Sequence, residues 1–173
     1  MPTRIPLRPS LLPRRRQSVK WIILHHTAEM YEAPESQIDN SKYQMPGLFK
    51  GVLEKKQADV NYNFVIDMIQ GDYNVITARP FVYLCEWDDI DTNINNRAIH
   101  VALMGNYDFK IPQLRMYQIL AYRILNPLIR QYALTPTRVK LHRDVSSNKD
   151  LTCPGDFIDP AKVIAQIRRY VVK

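Results

Sequence analysis

The chain has 173 residues, of which 46% are hydrophobic and 24% are charged, as is typical of one globular domain with a hydrophobic core. This composition excludes a fibre or a disordered chain, and the longest apolar runs, such as residues 21–24, are far too short for a membrane-spanning helix. The formal charge of +7 favours contact with polyanions such as nucleic acid, anionic lipid or cell-wall polymers.

Residues 1–18 are predicted to form a basic N-terminal arm that precedes a single domain at residues 19–173. The positive charge is concentrated before the first acidic residue, Glu29, in Arg4, Arg8, Arg14, Arg15, Arg16 and Lys20. Two interpretations remain open: a solvated tail, or an electrostatic arm that binds an anionic cell-envelope surface. Four prolines interrupt this stretch and no apolar core of a signal peptide follows, so we expect the chain to remain in the cytoplasm until something releases it.

The first half of the chain predicts three strands. Residues 20–24 are rich in β-branched and aromatic side chains, which favours a short buried strand. The mixed segment 33–59 predicts one or two short helices. Residues 62–68 and 73–78 predict two strands that form a hairpin, because a Gly-Asp turn lies between them.

The middle of the chain predicts a loop, a strand and a long helix. Residues 84–97 are acidic and rich in asparagine, which predicts a surface loop. Residues 98–104 predict a strand that ends at Gly105. Apolar side chains recur at helical spacing through residues 112–131, and we expect Pro127 to kink or locally break this helix.

The C-terminal part predicts one more strand and one more helix. Residues 139–141 form the predicted strand. Residues 159–172 form the predicted helix, with Asp159 as its N-cap and Pro160 as its first residue. Because strands and helices alternate along the chain, we predict an α/β fold with a central mixed β-sheet flanked by helices.

Two histidines and one cysteine stand out as candidate metal ligands. His25 lies near the end of the first predicted strand, His142 directly follows the last one, and Cys153 lies in a loop before the terminal helix. Two imidazoles and one thiolate suit Zn²⁺, and three protein ligands leave a fourth position for water. A disulfide between Cys85 and Cys153 is the open alternative, and it would remove the third ligand.

Five short blocks in a fixed order resemble the type 2 N-acetylmuramoyl-L-alanine amidases, a family that includes phage endolysins and animal peptidoglycan recognition proteins. The blocks span roughly residues 20–165, and together they are highly specific. They are residues 22–28 (IILHHTA), 60–66 (VNYNFVI), 98–107 (AIHVALMGNY), 142–145 (HRDV) and 153–155 (CPG).

This resemblance implies a zinc amidase domain at residues 19–173 that cuts the amide bond between the MurNAc lactyl group and L-Ala of bacterial peptidoglycan. The zinc ligands of the family correspond to His25, His142 and Cys153, with one Zn²⁺ ion as cofactor. Its catalytic tyrosine corresponds to Tyr62. Members that bind peptidoglycan without cutting it often lack the first histidine and the cysteine, so their presence here favours an enzyme.

The chain departs from the family pattern at two positions near the predicted site. Leu151 stands where many enzymes of the family have a lysine or threonine that steadies the oxyanion, so Lys149 or Thr152 is assigned that catalytic role. His100 stands where many relatives have glycine, and it is either buried on its strand or part of the site. The residues assigned to substrate binding are His26, Asn61, Glu86, Trp87, Asn95 and Asn96.

Rival functions are a peptidoglycan-binding protein without activity and a basic nucleic-acid-binding protein. The second lacks any helix-turn-helix, zinc-finger or RNA-binding signature, so we expect no specific nucleic-acid partner. A zinc deaminase needs H-x-E and P-C-x-x-C motifs, which this sequence does not contain. The absence of a recognisable signal peptide favours a phage endolysin that stays in the host cytoplasm until it is released to the cell wall.

Overall fold

A computed structural model describes residues 9–28, 60–69 and 71–170. The helices predicted within residues 33–59 lie outside the described residues. Within the three described ranges, no helix combines the length and apolar character needed to cross a bilayer.

A five-stranded mixed sheet forms the centre of the fold. The strands are β1 (Trp21–His26), β2 (Phe64–Ile69), β3 (Asp72–Thr77), β4 (Ala98–Leu103) and β5 (Val139–Leu141). Their order across the sheet is β3-β2-β4-β1-β5. β1 is parallel to β4 and β5, β2 is parallel to β4, and β2 and β3 form the predicted antiparallel hairpin. The sheet confirms the predicted fold class.

Short helices and one long interrupted helix complete the described fold. They are α1 (Thr92–Asn95), α2 (Leu114–Ile119), a π-helical segment (Leu120–Leu125), α3 (Asn126–Gln131), α4 (His142–Val145) and α5 (Pro160–Tyr170), together with 3₁₀ turns at Pro9–Leu11 and Pro136–Arg138. α5 begins as predicted: Pro160 is its first residue, and the Asp159 carboxylate accepts a hydrogen bond from the Ala161 N–H at 2.8 Å.

The predicted disturbance at Pro127 takes the form of the π-helical segment. The segment lies directly before α3, whose second residue is Pro127. Proline lacks an N–H, and its ring collides with the carbonyl four residues earlier in a regular α-helix. A wider π turn relieves that collision without ending the helix. The helix therefore continues from Leu114 to Gln131, with a change of helical type rather than a break.

The two faces of the sheet are covered differently. On the helix-covered face, buried apolar side chains pack with residues of α2, the π-helical segment, α3 and α5. The strand residues on this face include Ile22, Leu24, Ile99, Val101 and Leu103. The loop-covered face lies under residues 60–62 and 87–94, and its strand members include Ile23, His25, Ala98, His100 and Ala102. Side chains alternate between faces along each strand, so each strand contributes to both.

The prediction that residues 84–97 form a surface loop was wrong in part. Leu84, Cys85, Ile90 and Asn95 are buried, and the segment contains α1. The Asn95 amide donates hydrogen bonds to the carbonyls of Trp87 and Ile90 at 2.7 and 3.2 Å. Because these bonds satisfy its donor group, a polar side chain is buried in a segment whose composition is typical of a solvated loop.

The described part of the predicted N-terminal arm packs against the domain. The Arg15 N–H donates to the Val82 carbonyl, and the Leu84 N–H donates to the Pro13 carbonyl, both at 2.8 Å. Leu12 is buried, whereas the side chains of Arg14, Arg16 and Lys20 are exposed. Residues 12–15 therefore lie against residues 82–84, and the binding of an anionic surface by this segment stays a prediction.

Candidate metal centre

The three predicted ligands meet at one edge of the sheet. β1 and β5 are parallel, with Leu24 opposite Leu141, so the next residues, His25 and His142, lie side by side. Their ring centroids are 4.5 Å apart, and Cys153 Sγ lies 3.8 Å from His25 Nδ1. One ligand atom from each of the three residues lies within 4.8 Å of the others.

Arg143 holds the loop that carries Cys153. Its backbone N–H donates to the Cys153 carbonyl at 2.9 Å, and its guanidinium donates to the carbonyls of Thr152 and Gly155 at 2.9 and 2.8 Å. Gly155 has φ of +106°, and an added Cβ would lie 2.4 Å from the carbonyl carbon of Tyr107, so only glycine fits. Arg143 was not assigned a role from the sequence, although it lies in one of the matching blocks.

Burial keeps all three ligands uncharged when no cation is bound. It lowers the pKa of His25 well below the usual value and also lowers the pKa of His142. Burial raises the pKa of the Cys153 thiol to about 12. No disulfide joins Cys85 and Cys153, so the alternative pairing is not formed and the third candidate ligand is present.

The donor set fits a zinc ion. The Nδ1 atom of His142 is buried, and it has no hydrogen-bond partner among the described residues. Tetrahedral zinc with nitrogen and sulfur ligands at about 2.0–2.3 Å keeps those ligands about 3.3–3.8 Å apart. The 3.8 Å between Cys153 Sγ and His25 Nδ1 agrees with that spacing. Two imidazoles and one thiolate, formed when the Cys153 thiol gives up its proton to bind a metal, are also the ligand types that zinc prefers.

The Asp89 carboxylate contacts the His142 ring and fixes its orientation. Nε2 of His142 lies 3.0 Å from one carboxylate oxygen of Asp89 and 3.1 Å from the other. The Ser146 hydroxyl donates to the same carboxylate at 2.5 Å. With its proton on Nε2, His142 presents the lone pair of Nδ1 to the centre. Asp89 was not predicted, and its only sequence signal was its place in an acidic loop.

Two aromatic side chains lie next to the ligand histidines. The Trp87 ring stacks on His25, with centroids 4.5 Å apart and an interplanar angle of 19°, and it meets the His142 ring edge-on at 5.0 Å. The Tyr62 ring lies 5.6 Å from the His25 ring and 5.5 Å from the Trp87 ring. The structure therefore brings the predicted catalytic Tyr62, which is 8% exposed, and the predicted substrate-binding Trp87 into one site with the ligands.

Asn61 and Glu86, both predicted to bind substrate, are joined to each other. The Asn61 side-chain amide donates to the Glu86 carbonyl, and its oxygen accepts from the Glu86 N–H at 3.0 Å. The Asn61 side chain thus fixes the loop that carries Trp87, while the Glu86 side chain is exposed. A substrate contact by either residue stays a prediction.

The other residues predicted to bind substrate hold local structure. His26 is 6% exposed, and its Nδ1 accepts from the Tyr107 N–H at 3.2 Å. The Asn95 amide is occupied by backbone carbonyls, as described above. The Asn96 carbonyl accepts from the Arg15 guanidinium at 3.3 Å. These placements give the side chains of His26 and Asn95 a structural role, and their contact with substrate stays a prediction.

Lys149 and Thr152, the two candidates for oxyanion donor, have other partners in this structure. The Thr152 hydroxyl donates to the Asp108 carboxylate at 3.1 Å. The exposed Lys149 ammonium lies 3.4 Å from the Ser146 carbonyl oxygen. The assignment of either residue to the oxyanion stays a prediction.

Comparisons with known proteins show which proteins this chain resembles in sequence and in fold. Peptidoglycan recognition protein 1 of Bos taurus is 28% identical over 165 residues, which cover 91% of this chain and 76% of that protein. The N-acetylmuramoyl-L-alanine amidase LysC from Clostridium intestinale URNW has a TM-score of 0.62 at 19% identity, covering 87% of this chain and 86% of that one. The Ph2119 endolysin of a Thermus scotoductus bacteriophage has a TM-score of 0.61 at 16% identity, covering 90% and 89%.

A family model described as N-acetylmuramoyl-L-alanine amidase matches residues 15–156. The matched residues include the three candidate ligands and the two neighbouring aromatic residues, Tyr62 and Trp87. The chain belongs to the N-acetylmuramoyl-L-alanine amidase family.

Proposed function

We propose that this protein is a zinc-dependent N-acetylmuramoyl-L-alanine amidase, which hydrolyses the amide bond between the MurNAc lactyl group and L-Ala of peptidoglycan. The convergence of His25 Nδ1, His142 Nδ1 and Cys153 Sγ carries this proposal. These buried donors come from three separate segments of a chain in the amidase family, and their spacing suits one zinc ion.

The side chains around the centre have separable roles in this proposal. His25, His142 and Cys153 would hold the zinc ion, which would supply Lewis-acid chemistry for activating water and polarising the amide carbonyl. Trp87 shields one face of the His25 ring from solvent, since the two rings stack. Tyr62 lies beside the ligands and supplies a phenol group that hydrogen-bonds the water or the developing oxyanion. Lys149 or Thr152 adds a second donor after a side-chain rearrangement.

Digestion of purified peptidoglycan by the zinc-loaded protein tests the proposal. We expect mass spectrometry to find free peptides that begin with L-Ala, together with glycan strands whose lactyl carboxyl groups are free. His142→Ala and a chelator-treated sample serve as controls, and both should release nothing. Cleavage at a glycosidic bond or within the stem peptide would contradict the proposed bond specificity.

A protein that binds peptidoglycan without cutting it is the second candidate. Leu151 favours it, because it replaces the expected lysine or threonine, and the Thr152 hydroxyl is already bonded to Asp108. This candidate predicts that the zinc-loaded protein sediments with peptidoglycan but releases no peptide. Release of peptide in the digestion experiment rules it out.

We propose further that the enzyme acts as a phage endolysin, which stays in the host cytoplasm until it reaches the cell wall. Fold similarity to a bacteriophage endolysin and to a clostridial amidase supports this role. Cells that express the protein should remain intact until their membrane is permeabilised and should then lyse. Lysis of the culture before permeabilisation would contradict the proposed route.

The exposed cations near the N-terminus are proposed to strengthen binding to an anionic cell-envelope surface. Arg14 and Arg16 are exposed, whereas Arg15 donates hydrogen bonds to backbone carbonyls and is better left unchanged. The double variant Arg14→Gln, Arg16→Gln should bind purified cell walls more weakly at low salt and equally at high salt. Equal binding at low salt would remove this role.

A further inference from the structure

His100 lies on β4 beside the first zinc ligand. β1 and β4 are parallel, with His100 opposite Ile23, so His100 and His25 extend from the same face of the sheet. Nδ1 of His100 lies 2.9 Å from Nε2 of His25. Both side chains are 0% exposed, so water does not compete for this hydrogen bond.

The direction of this hydrogen bond follows from the position of Cys153. His25 turns its Nδ1 toward the Cys153 sulfur, so a metal ion bound there requires an unprotonated Nδ1. The proton of the neutral ring is then on Nε2, which donates it to His100 Nδ1. In this arrangement His100 accepts with Nδ1 and has its own proton on Nε2, a buried atom with no hydrogen-bond partner among the described residues.

We propose that His100 is a positioning residue, which fixes the tautomer and the orientation of the His25 ring and thereby presents Nδ1 to the zinc ion. This inference rests on the zinc site of the proposed function. It adds a residue that touches neither the metal nor the substrate and acts only through His25.

The stacking on Trp87 alone does not orient the His25 ring. Stacking fixes the ring plane, but a half-turn about the Cβ–Cγ bond leaves that plane unchanged. The same half-turn exchanges Nδ1 with a carbon and removes the ligand atom from the centre. The hydrogen bond to His100 distinguishes the two orientations, because only one of them directs Nε2 at an acceptor.

The two ligand histidines have different supports, and the difference follows from burial. Asp89 supports His142 with a carboxylate whose side chain is 27% exposed and which also accepts from Ser146. His100 is fully enclosed, where an ionised carboxylate would cost several kcal/mol. An imidazole can accept the hydrogen bond through Nδ1 without placing an ionised group in this enclosed position.

Three variants and a metal-affinity measurement test this role. His100→Leu removes the acceptor, whereas His100→Asn places an oxygen where Nδ1 was and should rescue the hydrogen bond. Ile99→Val is the matched control, because it changes the neighbouring residue on the opposite face. Zinc affinity is measured by competition with a chromogenic chelator, and thermal unfolding of each metal-free protein verifies the fold.

We expect His100→Leu to weaken zinc binding by about 10–100-fold, which is the usual effect of losing such a support. His100→Asn should recover most of the affinity, and Ile99→Val should match the wild type. In the cobalt-substituted proteins, the sulfur-to-metal charge-transfer band should be altered in His100→Leu and restored in His100→Asn.

Wild-type zinc affinity in a folded His100→Leu variant would overturn the inference, as would equal losses in the Leu and Asn variants. If His100→Leu does not fold, the zinc affinities of His100→Asn and the wild type are compared instead. A loss of zinc affinity near 100-fold in His100→Asn would overturn the acceptor role. A wild-type chain that binds no zinc overturns it as well. If zinc binding depends on His100 but peptidoglycan is not cut, only the proposed function fails.

Discussion

The helix-covered and loop-covered faces of the sheet differ in what holds them together. On the first, side chains such as Leu24, Val101 and Leu103 are completely buried against helices, and apolar contact is the stabilising interaction. On the second, His25 and His100 are just as buried, but they are held by directed hydrogen bonds and ring contacts. One face therefore holds most of the apolar core and the other holds the candidate metal ligand His25, although the same strands supply both.

The largest effect should come from removing the thiol ligand. We expect Cys153→Ala to lose stoichiometric zinc and to reduce peptidoglycan hydrolysis by more than about a thousandfold, since two ligands do not hold a catalytic zinc. Metal analysis and a digestion assay measure both effects. Cys85→Ala is the matched control, because Cys85 is also a buried cysteine, and this variant should keep its zinc and its activity. Similar losses in both variants would show that the effect comes from packing.

Removing one hydroxyl beside the ligands should have a smaller effect that separates chemistry from metal binding. Tyr62→Phe should keep its zinc and lose about 10²–10³ in kcat, because a donor to the oxyanion or water is removed. Tyr73→Phe is the control, since Tyr73 is a buried tyrosine that packs with the helix-covered core. Steady-state kinetics on soluble peptidoglycan fragments measures the difference, and full activity of Tyr62→Phe would end its assigned role.

Replacing a large side chain on the helix-covered face with a small one should lower stability and leave zinc affinity unchanged. Leu120→Ala opens a cavity at a completely buried position and should reduce the free energy of unfolding by about 2–5 kcal/mol. Its zinc affinity should stay within about twofold of the wild type, because no ligand or ligand support packs there. Urea unfolding and chelator competition measure the two quantities. A parallel loss of zinc affinity would contradict the separation of the two faces.

A further effect, which appears only as a pH dependence of stability, concerns a buried carboxyl group on β2. Asp67 is 1% exposed, and burial raises its pKa to about 7. Between about pH 4 and pH 7 the unfolded chain has lost this proton while the folded chain retains it, so stability should fall by up to about 1.4 kcal/mol per pH unit and level off above pH 7. Asp67→Asn should lack this component in urea unfolding at several pH values. The same pH dependence of stability in the wild type and in Asp67→Asn would contradict this role of Asp67.

Local sequence predicted the parts of the site that depend on strand ends and short motifs. His25 lies at the end of β1 and His142 directly follows the neighbouring parallel strand β5, so their convergence was predictable once those strands were recognised. The supports of the ligands were not predictable in the same way. Asp89 reaches His142 across 53 residues of sequence, and no local pattern marks that pairing.

His100 shows the same limit most clearly. The sequence left two alternatives for it, burial on its strand or a place in the site, and the structure shows that both hold. Only the register between β1 and β4 brings its ring to His25. A register depends on the whole sheet and is not determined by either strand alone.

Zinc K-edge X-ray absorption of the purified, zinc-loaded protein tests the central claim most directly. The account predicts one zinc ion per chain with one sulfur neighbour at about 2.3 Å and nitrogen or oxygen neighbours at about 2.0–2.1 Å. The sulfur signal should disappear in any zinc that remains with Cys153→Ala. A zinc environment without sulfur in the wild-type protein, or a chain that holds no zinc, would contradict the account.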